Sequence, residues 1–134
     1  MPVQAIAKGV KISPRKVQVV AGLVRGRSVN DALVILEHTP RASALAVTKV
    51  IKSARANAEH NHNYKPDSLV ITEISVTPGP RLKRYRPAAR GRALAFQKKS
   101  AHIRVLVDGE KRQPKKPAKP AATKAKVTDK EEVK

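Results

Sequence analysis

The sequence has no cysteine and no apolar run near the roughly 20 residues that a membrane-spanning helix needs. Without cysteine the protein forms neither disulfides nor thiolate metal sites, which favours a reducing compartment. Residues 1–11 also lack the apolar core of a secretion signal. We therefore expect a cytoplasmic protein with no attachment to a membrane.

Acidic residues are few and scattered, which argues against catalysis. The candidate catalytic acids are Asp31, Glu37, Asp67, Glu73 and Asp108. None of them adjoins a glycine-rich phosphate loop or a nucleophile paired with a base. His60 and His62 match no known metal-ligand spacing, and a third ligand is not evident. We predict that the chain is not an enzyme and holds no metal ion or cofactor.

Aromatic residues are also scarce, since the chain has only Tyr64, Tyr85 and Phe96. Modules that read single-stranded bases need several rings on one sheet face. Recognition of a nucleic acid would therefore rest on phosphates, 2′-hydroxyl groups and shape. Two interpretations stay open for Tyr85: stacking on an unpaired base, or packing across a hairpin against Leu94 or Phe96.

Positive charge, in contrast, is abundant. Twenty-nine lysines and arginines oppose ten acids, a formal net charge of +19. Residues 81–99 are the densest part, with eight cations and no acid: Arg81, Lys83, Arg84, Arg86, Arg90, Arg92, Lys98 and Lys99. Ordinary surfaces mix charges of both signs. The pattern predicts a polyanionic partner, nucleic acid before a membrane surface, because no basic amphipathic helix with an apolar aromatic face is present.

Two runs with strand-like alternation flank this basic stretch. Upstream, Val70, Thr72, Ile74 and Val76 share one face; downstream, Ala101, Ile103, Val105 and Val107 do the same. They predict a long hairpin arm over about 69–107, with its tip at about 81–99. Since Pro78, Pro80 and Pro87 cannot donate a hydrogen bond and Gly91 tolerates positive φ, we expect the ladder to loosen near the tip.

Helical patterns occupy the region before the arm. Ser13-Pro14 predicts a helix over about 14–25, Ser28 and Asp31 begin a short helix that stops near Thr39, and Thr39-Pro40 begins a third over about 40–62. The apolar faces of the first and third helices are Val17, Val20, Ala21 and Val24, and Val47, Val50, Ile51, Ala54 and Ala58. Residues 3–12 can join the hairpin base as a third strand.

The predicted fold is α+β: three helices packed on a small antiparallel sheet with a long protruding β-hairpin, within residues 1–108. Residues 109–134 form a tail rich in lysine, proline and alanine with almost no large apolar side chain. That composition buries too little surface to offset chain entropy, so we expect the tail to be disordered.

Four segments resemble the bacterial large-subunit ribosomal protein L-twenty-two family. They are residues 13–17 (SPRKV), 49–61 (KVIKSARANAEHN), 79–93 (GPRLKRYRPAARGRA) and 98–107 (KKSAHIRVLV), in order within residues 3–108. The resemblance implies a structural constituent of the large subunit, with the globular part on the outer surface and the arm threaded through ribosomal RNA. It also implies that the tip lines the peptide exit tunnel opposite ribosomal protein L-four. Ala88 departs from the arginine common in the family.

The positive charge and the family resemblance together predict which residues bind RNA. They are Arg15, Lys16, Lys49, Lys52, Arg55 and the eight cations of residues 81–99. By resemblance the tunnel-lining tip comprises Leu82, Lys83, Arg84, Arg90, Gly91 and Arg92. A plain solvated face explains Lys49, Lys52 and Arg55 equally well. The implied partners are large-subunit ribosomal RNA, neighbouring proteins including L-four, and the nascent polypeptide, with no homo-oligomer expected.

The alternative function is that of a nucleoid-type architectural protein, which would bend DNA with a basic β-arm. Such proteins wedge proline into the minor groove from a dimer, and the sequence offers no evident dimer face. Sedimentation with the large subunit through a high-salt wash distinguishes the ribosomal function from co-purification with chromosomal DNA.

Overall fold

The computed structural model describes residues 2–112 as three helices on a three-stranded sheet, extended by a second, two-stranded ladder. The elements in chain order are β1 (Val3–Val10), α1 (Pro14–Val24), α2 (Val29–Glu37), α3 (Ala42–His62), β2 (Val70–Pro78), β3 (Leu82–Pro87), β4 (Ala93–Lys98) and β5 (Ala101–Asp108). Short 3-10 turns lie at Pro66–Ser68 and Ala89–Gly91. The predicted α+β class is confirmed.

The core lies between the helices and one face of the sheet, whose strand order is β1-β5-β2, all antiparallel. Ala101, Ile103, Val105 and Val107 of the central strand are fully buried, as their alternation predicts. The predicted apolar faces of α1 and α3 are buried as well. Helix α3 packs on β1 and β5, and α1 packs on β2. No helix within residues 2–112 is long and apolar enough to cross a membrane.

Strand β2 departs from its predicted face. The ladder pairs Ile71 with Val107 and Glu73 with Leu106, so Thr72 is an extra residue on β2. Such a bulge reverses the side-chain alternation. Consequently Ile71 and Ile74 are buried, while Val70 is exposed. The prediction that Val70 and Thr72 share a face with Ile74 and Val76 is therefore wrong.

The start of α2 follows its predicted signal, whereas the start of α3 does not. Ser28 caps α2, its hydroxyl oxygen accepting a hydrogen bond from Asp31 N at 3.1 Å. The hydroxyl of Thr39 donates to the Ile35 carbonyl at 2.7 Å, so it serves the end of α2. Helix α3 begins after Arg41, two residues later than predicted from Thr39.

Strands β3 and β4 with the turn between them form the distal hairpin, which matches the predicted tip. Their ladder is unbroken from Leu82 opposite Lys98 to Pro87 opposite Ala93. The interruption lies instead at the base of this hairpin, in residues 79–81 and 99–100, which we call the joint. The ladder thus loosens at the edge of the predicted tip, near Pro78 and Pro80, and not at Pro87, which is paired with Ala93. Pro78 borders the interruption and Pro80 lies within it, and both lack the N–H that would continue the ladder.

The first residues of the predicted tail are hydrogen-bonded to the core. Lys65 N donates to the Glu110 carbonyl at 2.9 Å, and Arg112 N donates to the Asn63 carbonyl at 2.7 Å. The ammonium group of Lys65 also lies 3.5 Å from the Glu110 carboxylate. The ordered chain thus continues past residue 109. Residues 113–134, the rest of the predicted tail, lie outside the described residues.

Candidate nucleic-acid interface

The first turn of α1 carries two of the nominated cations. Ser13 is the N-cap residue and Pro14 takes the first helical position, although the Ser13 side chain makes no capping hydrogen bond. The Ser13 carbonyl accepts a hydrogen bond from Lys16 N at 3.0 Å. Arg15 and Lys16 are exposed, and the turn contains no acid. The positive end of the helix dipole adds to their charge.

A small cavity of about 240 Å³ lies where the distal hairpin leaves the core. We call it the joint cleft; it is lined by Ser13, Pro14, Arg15, Pro78, Arg81, Lys99 and Ser100. Arg15 belongs to α1, whereas Arg81 and Lys99 belong to the two sides of the joint. The fold thus brings together three nominated cations from distant parts of the sequence, and the lining includes no carboxylate.

A second groove, about 470 Å³ in volume, shares Ser13 with the joint cleft and carries three further cations. Lys11, Lys16 and Arg41 line it. The Ser43 hydroxyl donates to the Lys16 carbonyl at 3.3 Å, which links α1 to the start of α3. Sequence reasoning missed Lys11 and Arg41. Their positions at or near the residues that begin helices were the available signal.

The distal hairpin has two faces of different chemistry, because directly opposed residues of an antiparallel pair share a face. The arginine face comprises Leu82, Arg84, Arg86, Leu94, Phe96 and Lys98. The tyrosine face comprises Lys83, Tyr85, Pro87, Ala93, Ala95 and Gln97. Every one of these residues except Phe96 is exposed. The hairpin therefore offers a strongly cationic side with large apolar groups and a weakly charged side with one ring.

Register decides between the two interpretations of Tyr85. Tyr85 lies opposite Ala95, on the other face from Leu94 and Phe96. Its side chain is 70% exposed. Packing of Tyr85 against Leu94 or Phe96 is therefore wrong. The guanidinium group of Arg86 covers the Phe96 ring instead.

The nominated tunnel-lining residues fall at opposite ends of the distal hairpin. Leu82 to Arg84 begin β3, next to the joint, whereas Arg90, Gly91 and Arg92 form the apical turn. Arg90 and Gly91 adopt left-handed backbone conformations, with φ of 59° and 67°. The turn is closed by Ala88 N donating to the Arg92 carbonyl at 2.8 Å. Three residue pairs of the ladder, those of Tyr85, Arg86 and Pro87, lie between the two sets, or about 10 Å of strand.

The nominated cations of α3 lie elsewhere. Lys49 and Lys52 are exposed, and Lys49 borders an apolar groove between α3 and β1 that also includes Ile6 and Leu45. Arg55 is half-buried and donates to the Asn30 side-chain oxygen at 3.3 Å, joining α3 to α2. Arg55 thus has a structural contact that the sequence did not reveal.

The carboxylates of the described residues do not neutralise this surface. In the part of the chain that the structure describes, the one ion pair within 4.0 Å is that of Lys65 with Glu110. The cations of the joint cleft and distal hairpin therefore have no acidic partner within residues 2–112. The same residues contain no group of three histidines or acids that could hold a metal ion.

Comparison with known proteins identifies one family. The family model described as ribosomal protein L22p/L17e matches residues 5–108. The large ribosomal subunit protein uL22 of Oceanobacillus iheyensis is 50% identical over 111 residues, covering 83% of this chain and 98% of that protein. The protein of the same name from Desulforamulus reducens is 49% identical over 111 residues, with the same coverage. The matched region includes the joint cleft and the whole distal hairpin.

Proposed function

Because this chain belongs to the ribosomal protein L22p/L17e family, we propose that it binds large-subunit ribosomal RNA through the joint cleft and distal hairpin and lines the peptide exit tunnel with its tip. The chain is a protein of the large ribosomal subunit and a component of the cytoplasmic ribosome. Its role is structural: it supports the folding and assembly of the RNA around it.

The observation that carries this proposal is the uncompensated charge of the distal hairpin. Eight cations lie in residues 81–99, where every one is exposed and none has a carboxylate partner among residues 2–112. A two-stranded ribbon is marginal in water, and mutual repulsion of its cations weakens it further. RNA phosphates would remove that repulsion and supply the surface against which the hairpin orders.

Small side chains at the apical turn support tunnel lining by the tip. Ala88, Ala89 and Gly91 of this turn have small side chains or none, and Arg90 and Arg92 beside them are exposed. A cationic apex with little bulk between its arginines suits a wall of RNA on one side and a passing polypeptide on the other. We place ribosomal protein L-four and the nascent chain among the partners on the strength of the family alone.

Salt dependence of RNA binding tests the proposal. Log K for a large-subunit RNA fragment should fall linearly with log salt, by about 0.7 to 0.9 per phosphate neutralised. Replacing Arg84, Arg90 and Arg92 together with Gln should therefore reduce the slope by about 2 to 3. The matched control replaces Lys8, Arg104 and Lys111, exposed cations of the globular part, with Gln, which removes the same charge outside the hairpin.

Equal slopes for the hairpin triple and the unaltered protein would overturn the assignment of the hairpin as the RNA contact. Duplex DNA of the same length tests the architectural alternative. The structure offers that alternative little support, because Pro87 lies within the β3 ladder and not at the apex of the turn. Tighter binding to DNA than to the RNA fragment would nevertheless favour it.

A further inference from the structure

We propose that the joint cleft binds one phosphate group and that this phosphate fixes the direction of the distal hairpin relative to the core. The inference rests on the proposed RNA-binding function and assigns a specific task to three of its cations. Arg15 is anchored in the core helix α1, whereas Arg81 and Lys99 are the joint residues next to the hairpin strands. A group held by all three would bridge the two parts.

The joint is weakly held without such a group. The core ladder ends at Pro78 opposite Ala101, and the hairpin ladder begins at Leu82 opposite Lys98. Two described hydrogen bonds connect the strands between these points: Gly79 N to the Ser100 carbonyl at 2.9 Å, and the Ser100 hydroxyl to the Pro80 carbonyl at 2.7 Å. Two bonds leave rotation of the hairpin about the joint poorly restrained.

The lining of the cleft selects a compact anion. Its three cations have no carboxylate among them, so they repel one another across the cavity. Arginine offers a planar fork of donors that matches phosphate oxygens. The volume of about 240 Å³ is smaller than the roughly 300 to 1,000 Å³ of pockets for drug-sized ligands. A phosphate group therefore suits the cleft better than an organic molecule does.

A phosphate in the joint cleft would neutralise the repulsion among its three cations and restrain the hairpin relative to the core. In the free protein, repulsion of Arg81 and Lys99 by Arg15 favours swinging of the hairpin away from the core. A phosphate contacted from both sides of the joint draws the same groups together. The phosphate has two possible sources with the same chemistry, an RNA phosphodiester or free inorganic phosphate, and the experiment below includes both.

Distance measurements between paired spin labels test the proposal directly, because the chain has no native cysteine. One label is attached through Val34→Cys on the exposed side of α2, and the other through Ala89→Cys in the apical turn. We expect a broad distance distribution for the free protein. Adding inorganic phosphate or a large-subunit RNA fragment should narrow it, whereas chloride at equal ionic strength should not.

Arg15→Gln removes the core half of the bridge at an exposed position and leaves both hairpin cations in place. It should raise the phosphate concentration required for half the narrowing by about tenfold or more, the usual effect of losing a charge-assisted hydrogen bond. Lys8→Gln removes the same charge from β1, outside the cleft, and should have no effect. Circular dichroism of both variants verifies that each is folded.

If the RNA fragment narrows the distance distribution and inorganic phosphate does not, the result would support the bridge and identify an RNA phosphodiester as the bridging group. Equal narrowing by chloride, or equal narrowing in Arg15→Gln and the unaltered protein, would overturn it. Affinity for RNA is measured on the same samples. RNA binding without any dependence of the distances on Arg15 would overturn the bridge while the proposed function stands.

Discussion

The guanidinium carbon of Arg86 lies 4.7 Å from the centre of the Phe96 ring, on the arginine face of the distal hairpin. Arg86 belongs to β3 and Phe96 to β4, so this contact links the two strands through side chains. Phe96 is also the one strand residue of the hairpin that is partly buried. A cation beside an aromatic face thus stabilises a ribbon that otherwise consists of repelling charges.

We expect Phe96→Ala to loosen the distal hairpin without affecting the core. An exposed cation–π contact contributes about 0.5 to 1 kcal/mol, so amide exchange in residues 82–98 should quicken about two- to fivefold while β5 stays protected. Phe96→Leu keeps an apolar side chain but has no ring, so its amide exchange rates should lie between those of Phe96→Ala and the unaltered protein. Identical exchange in Phe96→Leu and the unaltered protein would show that the aromatic face contributes nothing.

Tyr85 should stack on an unpaired base of its RNA partner, since its ring is exposed and has only Ala95 opposite. Tyr85→Ala should weaken binding to an RNA with unpaired bases by about 1 to 3 kcal/mol, the usual value for one stacked base. Because no charge is lost, the salt slope should not change. Tyr85→Phe retains the ring and should bind normally; weak binding by this variant would indicate a role for the hydroxyl group instead.

Deleting Leu82, Lys83 and Arg84 should separate assembly from tunnel shape. The deletion removes three residues from one leg only, so the register shifts by an odd number and distal side chains turn to the opposite faces. The core cations remain, and we expect the variant to enter large subunits. Its ribosomes should respond differently to tunnel-binding macrolides and to tunnel-stalling peptides.

A second deletion variant provides the control. Removing Phe96, Gln97 and Lys98 as well takes away the three residues opposite the first deletion, which restores the cross-strand pairing while shortening the hairpin by about 10 Å. Because three is an odd number, the remaining pairs still face the opposite side relative to the core. Differences between the two variants therefore report the effect of mispaired strands, and similarities report the effects of the shorter reach and the inverted faces. Unaltered responses in both would contradict the proposal that the tip lines the tunnel.

Gly79→Ala should disturb the joint. A β-carbon at residue 79 would lie 2.5 Å from the Ser100 hydroxyl oxygen and 3.2 Å from a carbon of the His102 ring. Displacing Ser100 sacrifices its hydrogen bond to Pro80, worth about 1 kcal/mol. We expect faster amide exchange at residue 79, whose N–H donates to the Ser100 carbonyl, and in the hairpin, with little change in the melting temperature of the core.

A double-mutant cycle isolates the cause. Ser100→Ala removes both the crowded oxygen and the hydrogen bond. In a protein that already carries Ser100→Ala, Gly79→Ala should therefore speed amide exchange in the hairpin by less than it does in the unaltered protein. Additive effects would show that the His102 ring, not Ser100, excludes a side chain at this position.

Local periodicity was sufficient to predict the elements of the core. Val17, Val20, Ala21 and Val24 recur at helical spacing, and Ile103, Val105 and Val107 alternate as strand residues do; all are buried as expected. These patterns are readable because a helix or strand buries one side at a period set by its own backbone geometry. The same holds for the excess of positive charge, which needs no structure to indicate a polyanionic partner.

The features that local patterns did not predict depend on strand pairing and on contacts between distant parts of the chain. The extra residue Thr72 exists only relative to β5, so the sequence of β2 alone could not reveal that its buried face changes after Ile71. Likewise, the residues that share a face of the hairpin with Tyr85 follow only from the register between β3 and β4. Arg15, Arg81 and Lys99 meet because the sheet returns the chain to the start of α1, a closure over many residues that no local pattern records.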